Sequence, residues 1–394
     1  MKKNILTLLA ASLLAGCASE PGEEEKPGIE AYPIQHEQEF GGVYIEISID
    51  DFNALGFTYG DSVDVTFSNG YELKDIPYYN GYYVAAGEPL LIAYPGYDYI
   101  KAAVNYGADL WETANLQLMP GARQEPRESL WLTSGVQEHD TASVKLNEKG
   151  KYLDIQEARD IAYTDIRTDY PSDEVFANFR PINMGSLKEN MVYRSASPCD
   201  NSHNRAEYVD QLCEKAEINT ILNLSDNDVK IQSYMARHGF NCEYFRGLYE
   251  YGHVIPIALN MNYLADEFAR KIAQGFTDIS AFDGPYLIHC TEGKDRTGFV
   301  CMLVEMLAGA SYEEIVADYM LTYDNYYQIN EAEQPAKYKT IKEMNIDAMI
   351  GFVVNDPSVD YKNASLAPYA EAYLRKAGMS QEALDAFKAR ILRG

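Results

Sequence analysis

Apolar and polar residues change rhythm along this 394-residue chain. Over residues 29–160 they alternate with a period of two, the pattern of strands buried on one face. Val43-Tyr44-Ile45-Glu46-Ile47-Ser48-Ile49 and Ser62-Val63-Asp64-Val65-Thr66-Phe67 show it, and Leu90-Leu91-Ile92-Ala93-Tyr94 shows it in part. Ser68-Asn69-Gly70 is a hairpin-type turn, and Tyr94-Pro95-Gly96 and Asn105-Tyr106-Gly107 continue the punctuation. Short strands at this spacing predict a small all-β barrel or sandwich. From residue 161 the rhythm becomes helical. The spacing predicts helices over 208–216, 229–238, 262–274, 313–323 and 381–392. Between them, Thr220-Ile221-Leu222-Asn223-Leu224, Cys242-Glu243-Tyr244-Phe245 and Pro285-Tyr286-Leu287-Ile288 read as strands. Such alternation predicts an α/β fold over 161–394. It should have a mostly parallel central sheet flanked by helices, with functional loops at the strands' C-terminal ends.

One loop stands at such an end. The strand through Ile288 runs into His289-Cys290-Thr291-Glu292-Gly293-Lys294-Asp295-Arg296-Thr297-Gly298, and a helical stretch follows over 299–307. Five residues between Cys290 and Arg296 can curl so that backbone N–H groups converge on an anion. The next helix adds its free N-terminal amides and the positive end of its dipole. Arg296 can fork two N–H bonds to two phosphate oxygens. Gly293 suits a bend with positive φ, and Gly298 lets the helix start close to the cradle. A field that holds phosphate also favours a thiolate, and a thiolate in line with a bound phosphoester is a nucleophile for phosphoryl transfer. Cys290 is therefore the candidate nucleophile and Arg296 the phosphate clamp. Thr297 can hydrogen-bond the sulfur as it leaves, and Thr291, Glu292, Gly293, Lys294 and Gly298 complete the substrate-binding loop. His289 orients the loop rather than acting as a base.

His-Cys-x-x-Gly-x-x-Arg-Thr-Gly resembles the signature loop of the cysteine-dependent tyrosine phosphatases. The form with Lys-Asp before the arginine is similar to the bacterial group typified by mycobacterial protein tyrosine phosphatase B. Asn178-Phe179-Arg180, Val192-Tyr193-Arg194-Ser195-Ala196 and Ala317-Asp318-Tyr319-Met320-Leu321 resemble further segments of that group, as does the stretch from Tyr373-Leu374-Arg375 to Leu392. The resemblance implies a tyrosine-phosphatase-like fold and hydrolysis of phosphotyrosine through a cysteinyl-phosphate. Phosphoserine, phosphothreonine and phosphoinositides are further substrates in that group, and no cofactor or metal is expected. A phosphoinositide or inositol phosphate phosphatase is the nearest alternative. A catalytically silent phosphate-binding or surface-interaction protein is the alternative from another class. The chain departs from the group in three ways. Asn223-Leu224-Ser225-Asp226 stands where Asp-Leu-Arg is usual, Glu292 occupies a position that is often small, and no Trp-Pro-Asp motif exists.

The third departure leaves the general acid open. Asp295 is the first candidate, because the Lys-Asp-Arg form implies it. Glu250, on the stretch after the strand expected at 242–245, is the second, and Asp226 the third. Lys294 would lean over a second anionic group. Arg180 and Arg194 would brace the loop, contact substrate or pair within the domain.

Charge and termini narrow the partners. The formal charge of −27 excludes nucleic acid as a favoured partner. Residues 1–16 combine Lys2 and Lys3, an apolar core and Ala15-Gly16 before Cys17, which predicts a lipoprotein signal peptide with Cys17 as the lipidated residue. Residues 17–28, rich in Glu, Pro and Gly, read as a flexible linker. The expected location is the cell membrane, lipid-anchored on the extracytoplasmic face. Phosphorylated protein, phospholipid or inositol phosphate would be the substrate. The expected organisation is thus leader 1–16, linker 17–28, β-rich accessory domain 29–160 and catalytic domain 161–394. Cys199, Cys213, Cys242 and Cys301 show no zinc-like spacing.

Overall fold

A computed structural model describes residues 26–38, 40–117 and 140–393. The expected leader, Cys17 and most of the linker lie outside the described residues. The linker's last residues are already part of the barrel. Lys26 Nζ donates to the Asn147 carbonyl at 2.6 Å, the Pro27 carbonyl accepts from Leu146 N–H at 2.9 Å, and Gly28 opens the first strand.

Seven strands close that barrel: β1 (Gly28–Glu37), β2 (Gly42–Ser48), β3 (Ser62–Phe67), β4 (Glu72–Tyr79), β5 (Pro89–Ile92), β6 (Tyr99–Val104) and β7 (Thr141–Glu148). Their order is β1-β2-β6-β5-β4-β3-β7, so every described strand has two neighbours and no edge is left open. Period-two patterning does the sorting. In β3, Val63, Val65 and Phe67 are buried while Asp64 and Thr66 are half-buried. The turn after β3 places Gly70 at φ +92, a conformation that costs glycine little.

The second unit holds a five-stranded sheet of β8 (Arg180–Pro181), β9 (Val192–Ser195), β10 (Thr220–Asn223), β11 (Val254–Pro256) and β12 (Tyr286–His289), ordered β11-β10-β12-β9-β8. β11, β10, β12 and β9 run parallel, and β8 pairs antiparallel on the outside of β9. β12 is therefore central. Residues of β9, β10 and β12 are buried throughout, as strands covered on both faces require. Behind β12, the helix Asp295–Leu307 is buried at every position from Thr297 to Leu307. It is a core helix, buried on every side from Thr297 onward.

Two sequence expectations fail here. Cys242–Phe245 is not a strand: Glu243–Glu250 is a helix, and the strand comes later, as β11. The buried Asp210 carboxylate fixes that helix start by accepting from Tyr244 N–H at 3.3 Å and Phe245 N–H at 2.7 Å. The helix expected from residue 262 begins at Asp266 (Asp266–Ile279). Before it, Asn260 and Asn262 side chains accept from the amides of Asn262 and Leu264, and such local bonds compete with helix.

The helix Leu153–Arg159 joins the two units. Tyr152 and Ile155 pack against Tyr79, Leu90 and Ile92 of the barrel, whereas Ala158 belongs to the α/β core. Gln156 Nε2 donates to Asn80 Oδ1 at 2.7 Å. The expected boundary at residue 160 thus falls at the end of a helix that both cores share.

Candidate active site

The loop from Cys290 to Arg296 leaves β12 at the C-terminal edge of the sheet, and the surrounding scaffold holds its carbonyls. The Thr291 carbonyl accepts from Ser197 N–H at 3.1 Å. The Glu292 carbonyl accepts from Tyr326 Oη at 2.7 Å. The Gly293 carbonyl accepts from Arg194 Nη2 at 2.9 Å and Asn178 Nδ2 at 3.1 Å. The Lys294 carbonyl accepts from Gly298 N–H at 2.7 Å. By contrast, the N–H groups of residues 291–297 find no acceptor among the described residues. Pinning carbonyls outward while amides stay free is how a backbone makes an anion nest. The last three of those amides belong to the first turn of a helix, where free donors are the rule.

Gly293 sits at the bend with φ +70, and a Cβ there would lie 2.3 Å from the Ser195 carbonyl oxygen. Gly293→Ala is therefore expected to displace the loop, lowering stability by about 1–3 kcal/mol and kcat/KM with it. Thermal unfolding and steady-state kinetics on one sample check this, and an alanine variant matching the native protein in both would contradict the close approach. Gly298 meets a different neighbour, since a Cβ there would lie 2.4 Å from the Tyr319 ring.

Cys290 is buried at the start of this nest. Arg296 closes the loop, donating to the Leu259 carbonyl at 3.2 Å and to Thr291 Oγ1 at 3.3 Å. Among the described residues its buried Nε has no partner, and neither has Thr297 Oγ1. A buried donor without an acceptor is costly, so both positions fit groups that await a ligand or the reacting sulfur. His289 Nδ1 donates to the Cys290 carbonyl at 3.1 Å, and burial pushes its imidazole pKa down, which favours the neutral ring.

Glu292 and Lys294 occupy each other. Lys294 Nζ lies 3.3 Å from Glu292 Oε2 and 3.9 Å from Asp295 Oδ2, and it donates to Tyr327 Oη at 3.1 Å. Burial alone would push the ammonium pKa down, but Asp295, Tyr323 and Glu292 carry it well above the lysine range. Burial likewise pushes Glu292 up, and Lys294 and the Tyr163 hydroxyl outweigh it and hold the carboxyl below its usual range. The Glu292 charge is thus turned to a cation. Lys294 is committed to that pair and does not lean freely over a second anion.

Beneath the loop lies a buried charge cluster. Arg180 Nε donates to Asp318 Oδ1 at 2.8 Å, Arg180 Nη2 to the Asp318 carbonyl at 2.7 Å, and Arg194 Nη1 to Asp318 Oδ2. Both arginines brace the loop, Arg194 directly and Arg180 through Asn178 Oδ1 at 2.6 Å. Burial, with the Asp318 charge adding to it, pushes the neighbouring Glu305 carboxyl far up and favours its neutral form.

The three acid candidates separate. Glu250 ends a helix just before β11, and β11 runs parallel to β10 and β12, so Glu250 lies at the opposite edge of the sheet from Cys290. Asp226 follows β10 at the correct edge but is buried, and its carboxylate accepts from Asn223 Nδ2, Ser225 Oγ and Tyr234 Oη. Asp295 lines a cleft of about 500 Å³ beside Arg296. The cleft also contains Met261, Asn262, Tyr263 and Leu264, from the segment that follows β11. Sequence reasoning missed that segment because it placed the strand too early. It also missed Asn178 as a loop anchor, although Asn178-Phe179-Arg180 had drawn notice by resemblance.

A sequence model of the tyrosine phosphatase family matches residues 176–393. The triple specificity protein phosphatase PtpB of Mycobacterium tuberculosis is 27% identical over 155 residues, covering 33% of this chain and 55% of that protein. The chain thus spans about half the length of this curated relative. Among solved structures, the core catalytic domain of the S. cerevisiae PP-IP phosphatase SIW14 aligns at 19% identity over 43% of this chain and 91% of its own, with a TM-score of 0.25. P. aeruginosa TpbA aligns at 15% identity over 42% of this chain and 88% of its own, with a TM-score of 0.24.

Proposed function

The chain belongs to the tyrosine phosphatase family, and from that premise we propose that it hydrolyses phosphotyrosine through a cysteinyl-phosphate. The observation that carries this reading is the nest itself. Among the described residues its amides find no acceptor, its carbonyls at residues 291–293 are held from outside, and Arg296 at its end keeps an unpartnered buried Nε. The Cys290 thiolate attacks phosphorus as the bond from phosphorus to the phenolic oxygen breaks. Arg296 and the loop amides hold the three equatorial oxygens, whose charge spreads in the transition state. Asp295, protonated, gives its proton to the departing phenolate. As carboxylate it then takes a proton from water, which attacks the phosphoenzyme, releasing phosphate and regenerating the thiolate.

In this reading residues 161–394 form the catalytic domain and residues 29–160 an accessory barrel. Cys17 carries lipid that holds the protein at the extracytoplasmic face of the membrane. The leader pattern supports the anchoring, and radiolabelled palmitate incorporation lost in Cys17→Ala tests it.

The enzymatic reading is tested by vanadate-sensitive turnover of p-nitrophenyl phosphate and by a labelled phosphoenzyme trapped on acid quench. A protein that binds phosphate without either would be the silent module instead. The acid assignment has its own signature. Asp295→Asn should slow phosphotyrosine by roughly 10²-fold or more while sparing activated aryl esters, whose leaving groups need little proton help. The same variant should lose the basic limb of the kcat–pH profile. Glu250→Gln should change neither. Equal slowing of good and poor leaving groups by Asp295→Asn would remove Asp295 from the role.

A further inference from the structure

The cleft beside the nest is not built by the phosphatase unit alone. Tyr82 and Val84, between β4 and β5, and Tyr106, just after β6, face Asp295 and Arg296 across it. Arg159, the last residue of the helix shared by both cores, also lines it. This arginine is anomalous. The chain carries 60 acidic residues against 33 basic ones, so counter-charges abound. Arg159 nevertheless makes no ion pair or hydrogen bond among the described residues, and its Nε is buried without an acceptor. The carboxylates lining the cleft are each near a cation: Asp295 lies 3.9 Å from Lys294, and Glu343 lies 3.9 Å from Lys339. The two arginines that line it, Arg159 and Arg296, have no carboxylate partner among the described residues.

Its charge reaches both sides of the junction. Burial raises the phenol pKa values of Tyr83 in the barrel and Tyr263 in the catalytic unit, and the Arg159 guanidinium offsets part of each. A guanidinium kept partly out of water without a carboxylate is a poor structural device, because its desolvation goes uncompensated. It is a good receptor for an anion that arrives with the substrate.

The geometry points to Arg159 as a second anion subsite of the catalytic cleft, one that receives an acidic side chain next to the phosphotyrosine of a peptide substrate. This rests on the phosphatase reading above. The peptide is favoured over a polyphosphorylated sugar by the walls. Tyr82, Tyr106, Met261, Tyr263, Phe299 and Met349 offer aromatic and apolar surface to an aryl ring, not to a polyol.

The test compares, on the full chain, phosphotyrosine peptides that differ only by Glu or Gln beside the phosphoresidue. p-Nitrophenyl phosphate turnover is measured alongside. A charge-assisted hydrogen bond gives the native protein a preference in kcat/KM of about tenfold for the acidic peptide. That ratio should fall toward unity in Arg159→Gln and be partly kept in Arg159→Lys. Because it is taken within one enzyme form, general damage to the variant cancels. Native protein that turns over p-nitrophenyl phosphate but shows no acidic preference overturns the subsite and leaves the phosphatase reading standing. An unchanged preference in Arg159→Gln overturns it too. An Arg159 dependence seen with inositol bisphosphates but not with the peptides overturns the choice of substrate. No turnover of any ester sinks the phosphatase reading and the subsite with it.

Discussion

Cys290→Ser is expected to leave the protein folded and to reduce phosphomonoester turnover by roughly 10⁴-fold or more, the range found when a catalytic nucleophile is removed. Serine differs from cysteine at one atom and is small enough for this buried site, so the scaffold should not notice the change. The partners that hold the nest, Ser197, Tyr326, Arg194 and Asn178, bind carbonyls of residues 291–293 and not the sulfur. What changes is the nucleophile, because a hydroxyl does not ionise in this field as a thiol does. The free amides and Arg296 remain, so the variant should still bind a phosphotyrosine peptide. Calorimetry on the variant should therefore show binding without turnover. Substantial turnover by pure Cys290→Ser, or loss of binding together with turnover, would show that the sulfur is not what the loop is built to present.

The loop was legible because its chemistry is contiguous: ten residues carry nucleophile, bend, clamp and helix start. β3 was legible because Val63, Val65 and Phe67 alternate with polar residues and a turn follows at once. The helix Glu243–Glu250 was misread for a physical reason. Its apolar residues Phe245, Leu248 and Tyr249 do recur at helical spacing, but the first half alone reads as an aromatic strand. What settles the matter is Asp210, more than thirty residues away, whose carboxylate caps the two amides. Burial pushes that carboxyl up to about 6, so the cap is made partly at the expense of solvation. The same limit hid part of the support of the site. Arg180 and Arg194 were among the candidates to brace the loop, but nothing in the spacing of Glu305 and Asp318 says that they join those arginines under Gly293. Arg159 stands at the end of a helix where the sequence reading expected β structure, and its lack of a partner among the described residues is visible only once its surroundings are known.

The cluster under the loop gives the second large effect. Asp318→Asn should destabilise the protein by about 3–5 kcal/mol at neutral pH, the cost of removing one member of a buried ion cluster and leaving the others uncompensated. Asparagine keeps the shape and can still accept hydrogen bonds, so the loss is one of charge. The buried Arg194 and the mostly buried Arg180 would then lie together with no carboxylate between them. The sign of the pH dependence follows from Asp318 itself. Burial would push its carboxyl up, but Arg180 and Arg194 outweigh burial and hold it well below the usual range. A folded pKa below the unfolded value contributes stability above about pH 4, the unfolded value. That contribution is lost as pH falls toward the folded pKa. The gap between native and variant proteins should therefore be widest at pH 6–8 and narrow below pH 4, as urea unfolding at each pH would show. Arg194 also holds the Gly293 carbonyl, so kcat should fall at neutral pH even where the variant is fully folded. A gap that stays constant down to acid pH would mean that Asp318 acts through its shape and hydrogen bonds rather than its charge.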